Sequence, residues 1–150
     1  MDAEKAQTFA REWVKAWNDH DLEAILSHYA EDVVFHSPRI RMVTGRDADS
    51  VRGKAELRDY WGAALDRLRN LYFEIDQVLP GSDALTILYT NERSQYVAET
   101  LVFGADGKVE SDQQYRGFRW WNAGGGSRTS NNHFTREVQR PAGSKGYIGY

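Results

Sequence analysis

The chain reads as an α+β fold in which three helices precede a run of antiparallel strands. Two observations predict it. In the N-terminal half apolar residues recur at helical spacing, and from Tyr72 onward they alternate in runs separated by short turn sequences. Closely joined strands pair antiparallel, and the apolar stripes of the helices must then bury against one face of the sheet. A curved sheet wrapped on helices leaves room for an internal pocket.

Phe9, Trp13 and Trp17 stand four apart, with Ala6, Ala10 and Val14 beside them, which makes one side of a first helix apolar. It should stop at Asn18 and Asp19. Asp21 is placed to cap a second, short helix whose buried side is Leu22, Ile25, Leu26 and Tyr29. Residues 33–37 are β-branched and aromatic and end at Pro38, as a short strand would. A polar loop over 39–53 leads to a third helix over 54–70, carried by Leu57, Trp61, Ala64, Leu65 and Leu68. Strands are expected over 72–79, 84–90, 94–103 and 108 to about 121. From residue 123 the text GGGSRTSNNHFTREVQRPAGSKGYIGY has no periodicity, so residues 1–122 form the domain and 123–150 a tail.

Composition narrows the function. A net charge of −3 offers no basic footprint for nucleic acid, and the chain has no cysteine, which removes disulfides, thiolate metal sites and cysteine nucleophiles together. No apolar run is long enough to span a bilayer, and the charged start MDAEKAQTFAREW is unlike a signal peptide, so neither membrane nor export is expected and the location is cytoplasmic. His20 and His28 lie eight apart with no acid at ligand spacing, and neither a zinc motif nor a phosphate-binding glycine loop occurs. No metal and no cofactor are expected.

Three stretches of local text, WNDHDLEAILSHYAEDVVFHSP (17–38), VRGKAELRDYW (51–61) and GADGKV (104–109), resemble the SnoaL-like branch of the nuclear transport factor 2-like superfamily over residues 5 to 120. The resemblance implies a cone: a bent antiparallel sheet covered by three helices, with a pocket at one end, commonly as a homodimer through the sheet. Relatives include ketosteroid isomerase, limonene-1,2-epoxide hydrolase and polyketide cyclases, alongside members that only bind. The catalytic positions of ketosteroid isomerases fall on Trp13, Ser37 and Glu99, of which only the last is an acid. The arginine that limonene epoxide hydrolases place two residues before the first acid is Val97 here. One pocket acid, as SnoaL-type cyclases use, is what this chain retains.

That acid is conspicuous in its own strand. Val97, Glu99, Leu101 and Phe103 share a face, so a carboxylate stands among three apolar side chains. If GADG closes a symmetric hairpin, Glu99 lies opposite Asp112 with β-carbons about 5 Å apart. Two charges so placed repel by roughly 3 kcal/mol at an effective dielectric of ~20, enough to move one carboxyl toward neutrality. A bulged turn would instead set Glu99 opposite Gln113, and the face Lys108, Glu110, Asp112, Gln114 contains no apolar residue, as a wet strand would. Phe35 and Ser37 share one face of their strand and His36 takes the other, from which it reaches only the rim.

The candidate catalytic residues are therefore Glu99, Asp112 and His36. Trp13, Trp17, Tyr29 and Trp61 from the helices, with Phe35, Ser37, Val97, Leu101 and Gln114 from the strands, form the candidate ligand pocket. Two functions suit this set: cofactor-free acid–base catalysis on a small apolar cyclic or carbonyl compound, or non-catalytic ligand binding or dimerisation on the same fold.

Overall fold

The computed structural model describes residues 1–117, and the expected tail lies outside them. Helix α1 (Ala3–Asn18) starts where the Asp2 side chain accepts from the Lys5 amide at 2.8 Å. Its stripe Ala6, Ala10, Trp13, Val14 and Trp17 is buried as the spacing requires. At its end Asn18 holds the backbone of Phe73 from both sides, donating to the carbonyl at 2.9 Å and accepting from the amide at 2.7 Å. Helix α2 (Leu22–Leu26) is capped by Asp21, which accepts from the Ala24 amide.

Strand β1 (Tyr29–His36) is longer than expected and takes in Tyr29, which is its first residue and not part of α2. The polar loop holds two elements that its composition hides: a short helix α3 (Arg39–Thr44), making four helices, and strand β2 (Ser50–Arg52). Helix α4 (Lys54–Arg67) stops three residues short of the expected end and buries Leu57, Trp61 and Leu65. Strands β3 (Glu74–Pro80), β4 (Ala84–Thr90), β5 (Tyr96–Phe103) and β6 (Val109–Tyr115) follow. Strands β3 and β5 each begin two residues later than their β-propensity suggests.

The six strands form one sheet in the order β2-β1-β6-β5-β4-β3. The sequence leads one to expect antiparallel neighbours only, but β1 and β6 run parallel, because the first strand is inserted beside the last across the helices. Helix α1 packs on β3 and α4 on β1, so the inward faces of β4 and β5 close the core from below. There Leu85, Ile87, Tyr89, Val97 and Leu101 are buried in strict alternation, each contributing about 1.5–3 kcal/mol of apolar burial.

Strand β6 breaks that alternation. It pairs with β5 as Leu101↔Asp112 and Val102↔Ser111, then as Phe103↔Val109, so Glu110 is an extra residue and bulges out. Gly104 makes room for it: a β-carbon there would sit 2.6 Å from the Glu110 Oε2. Gly107 closes the turn at φ +79°, a conformation glycine adopts without strain. The bulge changes parity along the strand. Val109 and Asp112, one odd and one even, both point inward, and the apolar residue missing from the even face is supplied by Val109. No helix of the described residues is long and apolar enough to cross a membrane.

Candidate functional site

Glu99 and Asp112 are both buried, at 2% and 0% exposure, on the inward face of adjacent strands. They are not directly opposite, as neither expected register holds. The bulge sets Glu99 against Gln114 and Asp112 against Leu101, which makes the acids diagonal neighbours. The interaction is kept because a diagonal pair on one face remains within reach of long side chains.

Two chains of donors lead to the pair. On one side the Trp13 indole N–H donates to the Tyr29 hydroxyl at 2.8 Å, and that hydroxyl donates to Asp112 Oδ2 at 2.8 Å. On the other, the Tyr89 hydroxyl donates to Glu99 Oε1 at 2.8 Å and the Gln114 amide to the same oxygen at 3.2 Å. Gln114 is itself held: its Oε1 accepts from the Ser37 hydroxyl and from Arg116 Nε, both at 2.7 Å. Asp112 Oδ1 is buried without a donor from any described residue.

Burial, then the charge of Glu99, then a hydrogen bond with Glu99 push the Asp112 carboxyl well above the usual range, with the Tyr29 donor acting weakly against them. The phenols respond likewise. Tyr29 is raised by burial and by the charges of Asp112 and Glu99, and Tyr89 by burial and by Glu99, so both stay protonated donors. The result is a carboxyl pushed toward its neutral form beside a second carboxyl that collects donors, an arrangement suited to giving and taking one proton.

Aromatic rings surround this network. Trp13 lies 5.8 Å from Tyr89, Trp17 5.0 Å from Trp61, Tyr29 5.1 Å from Trp61 and Phe35 5.2 Å from Trp61. The expected pocket residues Trp13, Trp17, Tyr29, Phe35, Ser37, Trp61, Val97 and Leu101 are all buried together, with Gln114 half-buried at their edge. Within the described residues these rings pack on one another, and open space appears at the strand ends as a cleft of about 270 Å³ that includes Ser37, Gln114 and Arg116. The Trp17 indole N–H is buried with no acceptor among the described residues.

His36 is not brought to the acids. Its register partners are Ser50 and Gln113, whereas Phe35 pairs with Asp112, so the imidazole belongs to the opposite face. Among the described residues no group of three or more His, Asp or Glu side chains converges as a metal site would. Sequence reasoning missed Tyr89 and Arg116. Tyr89 carries a signal, since it alternates with Leu85 and Ile87 across a tight turn from the strand of Glu99. Arg116 stands two residues past Gln114, and nothing in the residue types marks that contact.

A model of a SnoaL-like domain matches residues 10–126 of the chain. A SnoaL-like protein of unknown function from Burkholderia thailandensis is 36% identical, with a TM-score of 0.74 over 79% of this chain and 99% of its own. AclR, a putative hydroxylase from Streptomyces galilaeus, is 20% identical with a TM-score of 0.60, covering 79% of this chain and 82% of its own. SalBIII, an epoxide hydrolase/cyclase-like enzyme of pyran ring formation in salinomycin, is 17% identical with a TM-score of 0.60, covering 78% and 94%. The last two likenesses are of fold. Comparison with curated protein sequences gives no match.

Proposed function

The chain belongs to the SnoaL-like family, and we propose that it is a cofactor-free enzyme that moves a proton on a small apolar cyclic or carbonyl compound. Asp112 is the general acid and Glu99 the general base, with Tyr29 and Tyr89 holding them in place. The observation that carries this reading is the buried carboxyl pair: both acids lie out of solvent, burial and Glu99 push the Asp112 carboxyl up, and three donor groups are aimed at the two acids. Epoxide opening, enolisation and aldol-type cyclisation are all assisted by a proton donor together with a nearby base, roles that a neutral carboxyl and a carboxylate can fill. An epoxide hydrolase/cyclase-like enzyme shares the fold, which is compatible with chemistry of this class.

Turnover of a panel of cyclic ketones, enones and epoxides, followed by mass spectrometry, tests it. Glu99→Gln and Asp112→Asn should each lose at least about 100-fold in rate on any substrate found. Full turnover by either variant contradicts the mechanism.

The ring-filled interior favours a second reading, in which the domain holds a ligand without changing it. In that case a ligand protects the protein against unfolding and no product forms. In either reading we propose a homodimer through the outward sheet face, where Thr86 and Thr100 meet at 2.9 Å, to be checked by light scattering.

A further inference from the structure

We propose that the cleft at the ends of β1 and β6 is an anion subsite, which takes a carboxylate of the substrate and sets it one amide away from the Glu99–Asp112 pair. The inference rests on the acid–base reading above and deepens it by naming the substrate class: a small cyclic acid in place of a neutral hydrocarbon or ketone.

The geometry begins with Gln114. Its amide spans two environments, donating inward to Glu99 Oε1 at 3.2 Å and accepting outward from Arg116 Nε at 2.7 Å. Ser37 fixes the amide in that orientation, since its hydroxyl donates to Gln114 Oε1 while accepting from the Arg39 backbone amide at 3.1 Å. Ser37 is 2% exposed, so the clamp is built into the wall of the cleft. Arg116, two residues past Gln114, lines the cleft, and Arg39, two residues past Ser37, lies within electrostatic reach of it.

Both guanidinium groups are half-buried, and neither stands within ion-pair distance of a carboxylate among the described residues. Arg116 uses Nε on Gln114, which leaves its two terminal nitrogens with donors to spare. Burial, and after it the positive charge of Arg116, lowers the Arg39 guanidinium from its usual value, with Arg93 acting the same way and Tyr60 and Glu92 against. Asp49 lines the cleft but is exposed and paired with neither arginine. Two like charges within reach of each other, one on the cleft wall and one beside it, repel unless an anion joins them, and a planar fork fits a carboxylate bidentately. A carboxylate seated there also explains the orientation of Gln114: the same amide that senses the bound anion through Arg116 steers a donor onto Glu99.

The test uses the full chain with 1-naphthoate as anionic probe and 1-naphthamide as its neutral counterpart, read by quenching of tryptophan fluorescence in phosphate-free buffer. Naphthoate should bind at least about tenfold more tightly than the amide, with an affinity that falls as salt is raised. Arg116→Gln and Arg39→Gln should each remove that preference while leaving naphthamide binding unchanged, and Arg116→Lys should restore only part of it because the fork is lost. Circular dichroism on each variant checks folding. Equal binding of the two probes, no binding of naphthoate, or undiminished preference in the arginine variants overturns the anion subsite. A carboxyl-carbon NMR titration on the same samples separates the two ideas: a raised Asp112 without carboxylate preference leaves the acid–base reading standing and removes the subsite alone.

Discussion

The two ends of the interior bury different things. Toward α1 and β3, Trp13, Trp17, Phe73 and Tyr89 pack ring on ring, with Phe73 and Tyr89 centroids 4.4 Å apart, and the stabilisation is contact area. Toward β1 and β6, Ser37, Glu99 and Asp112 are buried, and hydrogen bonds to most of their polar atoms offset the cost of burying them. Trp13 and Tyr89 belong to both ends: each contributes a ring to the first and one hydrogen to the second. The contrast shows how a small domain carries buried acids without unfolding, with the aromatic end supplying stability that the acidic end consumes.

Substitutions at the shared residues separate the two contributions. Trp13→Ala removes both and should cost about 3–5 kcal/mol in denaturant unfolding, the largest effect expected. Tyr89→Phe keeps the ring and removes only the donor to Glu99, for about 1.5–3 kcal/mol if that acceptor is charged. A loss as great as that of Trp13→Ala would mean that the rings and the network are not separable.

Asp112→Asn addresses the acidic end by pH. Because the folded-state carboxyl is raised, the native state keeps a proton that the unfolded chain releases above about pH 3.9, so stability falls as pH rises from there through the folded value. The slope is at most about 1.4 kcal/mol per pH unit. Asparagine is already neutral and can donate toward Glu99, so the variant should gain on the parent as pH increases, as thermal melts across pH would record. A constant gap between the two would deny the raised value. Ser37→Ala is the mildest change, about 1 kcal/mol from the lost bond to Gln114, with Gln114 then free to turn.

What could be read in the sequence follows the same division. The aromatic end obeys two regular periods, four along α1 and two along β4 and β5, so Trp13, Trp17, Val97 and Leu101 were expected inside and are inside. Glu99 was legible for that reason, as an acid in a strictly alternating strand. Asp112 was reached by the wrong register: the inserted Glu110 shifts the pairing, and nothing in the residue types at 104–111 fixes whether the turn or the strand absorbs the extra residue. The parallel contact of β1 with β6 is equally silent locally, since it joins residues 77 or more positions apart, as in Phe35 with Asp112. His36, by contrast, was expected on the face opposite Phe35 and Ser37, and it lies there, away from the acids.

The central claim is that burial and Glu99 together hold one proton on Asp112. Carboxyl-carbon NMR of the selectively labelled protein, followed through acid and neutral pH, measures this directly. The account predicts that the Asp112 carbon titrates well above about 3.9 and returns toward it when Glu99 is replaced by glutamine in otherwise folded protein, by as much as the charge contributed. An Asp112 that is fully ionised throughout the neutral range with an ordinary midpoint would contradict it.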